Sequence, residues 1–360
     1  MLRTQKLLLA FAALAAASCA NPTTPSQPPP PPPEPANVEI TCPQPVTVAS
    51  LKGDATVAVY GQATATSGAP PVTVACTPES GGSFPLGMSM VTCKATDARQ
   101  RTTSCMFPVT VTAPPRLAVT RFVAFGDSMT AGEIPSLGLN VFTGTFAVDP
   151  GSAYPRRLEV SLISRYTAQM PTVRNQGLTG EQTADGRRRL TGVIAGGAYD
   201  VLTLMEGAND LIEADQRKIG PAIANMQFMV RDAKSRGMKV FVATLPPQDP
   251  LACCPRRGSG AALVGPYNDG LRSMVSAEGV TLVDVNSAFN GDTKTLIDFD
   301  GLHPTAAGYQ KIADTFLKSI SETLETPAAT TTTMMPRMTT PMRPTAPMPA
   351  TSARPPIRRR

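Results

Sequence analysis

The chain of 360 residues has no tryptophan, six tyrosines and a single histidine, His303. An aromatic platform for stacking sugar rings is therefore not evident. One histidine cannot build a histidine-rich metal site, and no cysteine cluster has metal-ligand spacing, so neither a metal nor a cofactor is expected. The glycine-containing stretch GAYDVLTLMEGAND, residues 197–210, is no phosphate loop. The chain also lacks a long apolar run: LLLAFAALAAA, residues 7–17, falls short of the roughly 20 residues of a membrane span. Net charge is lacking outside one end. The net charge is +6, and residues 326–360 hold six arginines and no acid. Residues 1–325 therefore sum to zero, so the basic balance of the chain belongs to this tail and does not suggest a nucleic-acid enzyme.

The ends do not read as globular. Arg3 and Lys6 precede the apolar run, and small residues follow it up to Cys19, the layout of a secretory signal over residues 1–19. The ending AASC resembles a lipobox, which implies lipidation of Cys19 and anchoring to a membrane of the bacterial cell envelope. Plain secretion, with cleavage near Ala17 or Ala20, is the alternative. Residues 20–37 are a proline-rich spacer, stiff and extended. Residues 326–360, rich in Thr, Pro, Met and Arg, are expected to be disordered, as either an attachment device or a solubilising tail.

Residues 38–113 alternate in the strand manner, in VEITC, TVAVYGQATAT, VTVAC, MVTCKATDA and CMFPVTVT, with Gly, Pro and Ser between the runs. Such spacing predicts a small β-sandwich. Four of the seven cysteines lie here, and in an exported chain they imply two disulfides, with three pairings open. The stretches TCPQPVTV, PPVTVACTPESGGSFPLG and VTCKATDARQRTTSCMFPVTV resemble the HYR (hyalin repeat) module, an immunoglobulin-like domain. The resemblance implies pairing of Cys42 with Cys93 and Cys76 with Cys105. It also implies a spacer or adhesion role with a protein or glycan partner.

After a linker at PPRL, residues 114–117, the pattern changes. Over residues 118–325 the short apolar runs RFVAF, YDVLTLME, MKVFVATLP and VTLVDV alternate with helical stretches near 154–165, 219–236, 265–278 and 306–324. Strands alternating with helices predict a doubly wound α/β domain on a parallel sheet. Sites in such folds form where strands end. The segments found there are polar and glycine-rich: GDSMTAGE, QGLTGEQTADG, GANDL and PQDP. DFDGLHPTAAGY comes near the end. His303, the only possible base if the protein uses a Ser–His pair, sits three residues after Asp300 in that last segment.

Four blocks in order resemble the SGNH, or GDSL, esterases and lipases: FGDSMTAGE, NQGLTGEQT, GAND and DGLHPTAAGY. Met129 stands where the family has Leu. The resemblance implies a flavodoxin-like three-layer fold. It implies Ser128 as nucleophile, His303 as base and Asp300 as its orienting acid, with the oxyanion held by Ser128, Gly177 and Asn209. Asp127 and Asp210 are expected to be supporting hydrogen-bond acceptors. It further implies hydrolysis of a carboxylic ester through an acyl-enzyme. The family's range covers lysophospholipids, other acyl esters and acetylated sugars, and the lack of aromatic platforms leans towards acyl esters. The stretch 134–154, with Phe142 and Phe146, is expected either to wall the substrate pocket or to pack on the core. Cys253 and Cys254 are adjacent, as a vicinal disulfide or as two thiols. A contrasting expectation is an envelope adhesion or binding lipoprotein on a catalytically inactive hydrolase scaffold.

Overall fold

The computed structural model describes residues 36–140, 145–251 and 260–326. Cys19, Phe142, Cys253, Cys254 and the tail lie outside the described residues.

The N-terminal unit is mostly strands. β1 (Val46–Ala49), β2 (Thr73–Thr77), β3 (Gly87–Thr96) and β4 (Thr102–Thr112) form one sheet in the order β1-β4-β3-β2. β3 buries Val91, Cys93 and Ala95 and exposes the residues between them, the period-two pattern of a half-buried strand. The buried side packs with Tyr60, Phe84 and Phe107, whose rings meet edge to face. The run TVAVYGQATAT is strand only at Thr56–Val57 and Thr64–Ala65. Between them the backbone bonds elsewhere: the Tyr60 N–H donates to the Ser80 hydroxyl at 2.9 Å, and Ala58 exchanges bonds with Gly81 and Gly82.

The two disulfides join Cys42 to Cys105 and Cys76 to Cys93. The implied pairing, Cys42–Cys93 with Cys76–Cys105, is therefore corrected, and the reason is register. Cys93 lies opposite Cys76 on β2 and opposite Cys105 on β4. Cys42 follows the short strand Ile40–Thr41, which packs against β4, so Cys105 is the cysteine within its reach and Cys93 is left for Cys76.

The second unit is α/β. β5 (Arg121–Gly126), β6 (Thr172–Gly177), β7 (Val201–Met205), β8 (Lys239–Ala243) and β9 (Thr281–Val283) form an all-parallel sheet in the order β6-β5-β7-β8-β9. β5 is the first strand and has later strands on both sides, so the winding direction reverses at its C-terminal end. Every residue of β7 is buried, as a strand covered on both faces should be. Helices α2 (Tyr154–Arg165) and α7 (Ala306–Leu324) pack on each other, with Tyr154 stacked on Phe316 at 5.1 Å. Helices α3 (Thr183–Ile194), α5 (Ile219–Ser235) and α6 (Ala261–Glu278) pack together as the other layer. Arg116 and Leu117, expected in a linker, pair with Thr326 and Glu325 and so join the two ends of this unit.

Helix α3 lies in a stretch that reads as polar loop, because Gly186 and three arginines hide its period. The glycine has a packing cause. A Cβ at Gly186 would stand 2.3 Å from Oε1 of Glu206, the residue after β7. Glu206 is fully buried and neither carboxylate oxygen has a hydrogen-bond partner among the described residues. Burial first, then Asp127, Glu181 and Asp210, push its carboxyl up to about 10.

Two outcomes test this architecture. A non-reducing peptide map should give Cys42–Cys105 and Cys76–Cys93. Opening the first by serine substitution at both positions should lower stability by up to about 4 kcal/mol, since it closes a loop of some 63 residues. Glu206 gives a pH test. The unfolded chain releases its proton near pH 4.5 whereas the folded chain keeps it to about pH 10, so the folded state is penalised increasingly as pH rises between those values. Glu206→Gln should therefore raise Tm relative to wild type at pH 9 and make much less difference at pH 5.

Candidate active site

The stretch GDSMTAGE folds as a strand end, a one-turn helix and a reversal. Helix α1 (Ser128–Ala131) starts as β5 ends, and Asp127 caps it by accepting the Met129 N–H at 3.0 Å. Gly132, in the left-handed region at φ 98°, ends it, and its N–H returns to the Ser128 carbonyl at 2.9 Å. A helix this short holds Ser128 at the carboxyl edge of the sheet, at the reversal of winding.

His303 comes from the far end of the domain, in the turn before α7, whose N-cap is Thr305. Its Nε2 is 2.8 Å from Ser128 Oγ and its Nδ1 is 2.7 Å from Asp300 Oδ2. The other Asp300 oxygen accepts the backbone N–H groups of Leu302 and His303 at 3.1 and 3.0 Å. One carboxylate thus shapes the turn and orients the ring. Burial alone would raise the Asp300 carboxyl, but the His303 contact and those N–H groups hold it below its usual value. An ionised Asp300 accepts a hydrogen bond from Nδ1–H, which leaves Nε2 as the acceptor facing the serine hydroxyl. Ser128, Asp300 and His303 are all buried.

Asp127 and Asp210 stand as supporting acceptors. Asp210 takes the Thr183 N–H at 2.9 Å and its hydroxyl at 2.7 Å, tying the start of α3 to the short helix α4 (Ala208–Leu211). Burial pushes the Asp127 carboxyl up to about 7, against the pull of the Met129 N–H and of His303.

The expected oxyanion donors divide. The Ser128 N–H donates to no acceptor among the described residues. The Asn209 side chain gives one hydrogen to the Glu181 carbonyl at 2.9 Å, and its amide carries a second. Gly177 is different. Its single N–H donates to Asn175 Oδ1 at 2.9 Å, so it has none to offer. Its glycine identity serves packing, because a Cβ there would lie 2.0 Å from the Ala131 nitrogen. Three residues later Gly180, at φ +75°, has an N–H with no described acceptor and open space beside its Cα. It lies one residue before the carbonyl that holds Asn209. Sequence reading missed it, although a second glycine in the same block, GLTGE, was the signal. Arg189 clamps this loop, donating to the Gln176 carbonyl at 2.9 Å and to the Glu181 carboxylate.

Phe146 stands edge-on to His303, with ring centroids 6.4 Å apart, and edge-on to Phe299 at 5.9 Å. Of the two phenylalanines considered for the pocket wall, Phe146 thus lies beside the imidazole, and Phe142 is outside the described residues. Among the described residues no cluster of His, Cys, Asp and Glu could hold a metal ion. No helix among them is long and apolar enough to cross a membrane.

Residues 124–311 match the model of the GDSL-like lipase/acylhydrolase family, and residues 34–111 match that of the HYR domain. A solved lipase/acylhydrolase from Enterococcus faecalis is 21% identical, with a TM-score of 0.47, over 57% of this chain and 97% of its own. An alpha/beta hydrolase enzyme from the metagenome of Lake Arreo is 24% identical, with a TM-score of 0.45, over 57% and 97%. An acetylxylan esterase from Geobacillus stearothermophilus is 20% identical, with a TM-score of 0.44, over 57% and 94%. No curated protein matches the sequence. By the match over half its length, the chain belongs to the GDSL-like lipase/acylhydrolase family, joined to an HYR domain, and is a serine ester hydrolase.

Proposed function

We propose that this chain is an exported serine esterase acting on acyl, lysophospholipid or acetyl esters through Ser128, His303 and Asp300. The hydrogen-bonded series from Ser128 Oγ through the one imidazole to a buried carboxylate carries this reading. Ser128 Oγ attacks the ester carbonyl while Nε2 of His303 takes its proton. The imidazolium is steadied by Asp300 and returns the proton to the leaving alcohol. Water, activated by the same nitrogen, then releases the acid from the acyl-enzyme. The tetrahedral oxyanion is held by the N–H groups of Ser128 and Gly180 and by the second hydrogen of the Asn209 amide. Gly177 supports that hole by letting its strand end lie against α1. Each such donor is worth roughly 100-fold or more in rate.

Export is supported by the two disulfides, which persist in oxidising compartments. Cys19, at the end of the signal-like segment, is the site for a lipid anchor at the bacterial cell envelope, and the HYR domain is the part suited to a protein or glycan contact there. Replacing Cys19 with serine should move the protein from the membrane to the soluble fraction, and an unchanged distribution would remove the anchor from this account.

The decisive test is hydrolysis of p-nitrophenyl acetate, butyrate and longer esters by the full chain. Ser128→Ala should abolish turnover, and Asp300→Asn should lower kcat by roughly 1,000-fold or more. Chain-length preference separates a deacetylase from a lipase-like enzyme. A folded protein with no serine-dependent turnover would favour a binding lipoprotein on an inactive scaffold, against which the intact Ser–His–Asp geometry now stands.

A further inference from the structure

Arg189 and Glu181 form a charged pair behind the loop that follows β6, and the proton transfers among Ser128, His303 and Asp300 use neither of them. Glu181 is buried, and the Arg189 guanidinium lies over the buried ring of Phe125, its carbon 3.9 Å from the ring centre. The guanidinium acts as a fork. Its Nε donates to one Glu181 carboxylate oxygen at 2.7 Å and one of its terminal nitrogens donates to the other. That terminal nitrogen also donates to the Gln176 carbonyl at 2.9 Å and reaches the Gly126 carbonyl at 3.4 Å. One side chain of α3 thus joins the end of β5, the end of β6 and the loop between β6 and α3. The loop packs little by itself. Leu178 and Gly180 are exposed, a Cβ at Gly180 would meet nothing within 4 Å, and Glu181 is the buried residue of 178–181. Its backbone is tied by the Leu178 N–H to the Gly126 carbonyl at 2.9 Å and by the Glu181 N–H to the Leu178 carbonyl at 3.3 Å.

We propose that Arg189, acting through Glu181, is a positioning residue for the oxyanion hole that sets both the Gly180 N–H and the Asn209 amide. This rests on the oxyanion role given above to those two groups. Both hang on Glu181. Gly180 is the residue before it, and the Glu181 carbonyl accepts one hydrogen of the Asn209 amide at 2.9 Å. The amide is planar, so fixing the direction of one N–H fixes the other, which is the one left for the oxyanion. The same guanidinium touches the Gly126 carbonyl, two residues before Ser128, whose N–H is the third donor. All three donors are thereby referred to one rigid group. Such donors act by being held in place before charge develops, and a misplacement of about 1 Å costs roughly 100-fold in rate. A buried ion pair adds little net stability, because desolvation offsets the attraction, which leaves geometry as its main effect. Arginine suits the task because its planar fork serves a carboxylate and two carbonyls at once, whereas a lysine ammonium is a point charge.

The test is a double-mutant cycle on the full chain with p-nitrophenyl butyrate. Arg189→Lys keeps the charge and loses the fork. It should lower kcat by about 100-fold and change KM by less than about threefold. Asn209→Ala removes one donor and should also cost about 100-fold in kcat. In the double variant the loss should fall short of the product of the single losses by about 10-fold or more, because Arg189→Lys then has one donor fewer to misplace. A purely structural role lowers the folded fraction, so the two losses multiply in full. Full multiplication, or an Arg189→Lys enzyme with wild-type kcat, overturns the proposal. Glu181→Gln has nearly the same shape as the native side chain and breaks the same fork, so it gives the same comparison where Arg189→Lys does not fold. An Asn209→Ala enzyme with wild-type kcat would take Asn209 out of the hole and this proposal with it. Absence of any Ser128-dependent hydrolysis would instead overturn the underlying esterase reading.

Discussion

The hydrogen bond between Ser128 and His303 spans 175 positions of sequence, and the α/β unit is arranged around closing that distance. Ser128 is set by the end of β5, and His303 by the turn into α7. The two meet because α7 docks beside α2, where Tyr154 stacks on Phe316, and because the Tyr309 hydroxyl near the start of α7 bonds the Glu133 carbonyl just beyond α1. A polar contact of this kind contributes about 1 kcal/mol by itself. The helix packing beneath it, with Ile312, Phe316 and Ile320 fully buried, holds it in one geometry.

The same centre gathers an unusual density of buried acid. Asp127, Glu133, Asp210, Asp298, Asp300 and Glu206 are all buried. Their environments separate their behaviour. Asp300, satisfied by an imidazole and two backbone N–H groups, is held low, whereas Glu206, with no partner, is pushed up. Asp127 lies between, with one oxygen on the Met129 N–H and the other without a partner. Burial without compensation favours the neutral acid, and burial with directed donors favours the carboxylate. Only the compensated acid is suited to stabilise an imidazolium.

The HYR domain solves a different problem. Its core is small, built on Tyr60, Phe84, Phe107 and the valines of the long hairpin. Small β units of this kind bury too little apolar surface for ample stability, and two disulfides supplement it. They link strands already paired or packed, so they reinforce the register that the hairpin sets.

What the sequence determined was local. The alternation of RFVAF, YDVLTLME and MKVFVATLP with helical stretches was enough for a parallel sheet, because strands covered on both faces are apolar throughout. The meeting of Ser128, Asp300 and His303 was legible from the resemblance of the blocks that carry them and from there being one histidine in the chain. The tertiary structure decided what depends on register and on the direction of backbone groups. The disulfide partners follow from which strand lies beside Cys93, a non-local fact. Gly177 and Gly180 are the same residue three positions apart, and only the fold shows that the first N–H is taken by Asn175 while the second has no acceptor among the described residues. Helix α3 was hidden because Gly186, a helix-weakening residue, is required by the buried Glu206 of another element. Glu133 carries no signal in the sequence, and it is the reversal at Gly132 that brings its carboxylate to 3.7 Å from His303 Nε2. Side-chain chemistry is carried by the sequence itself, whereas proximity between distant residues exists only after packing has fixed where each backbone runs.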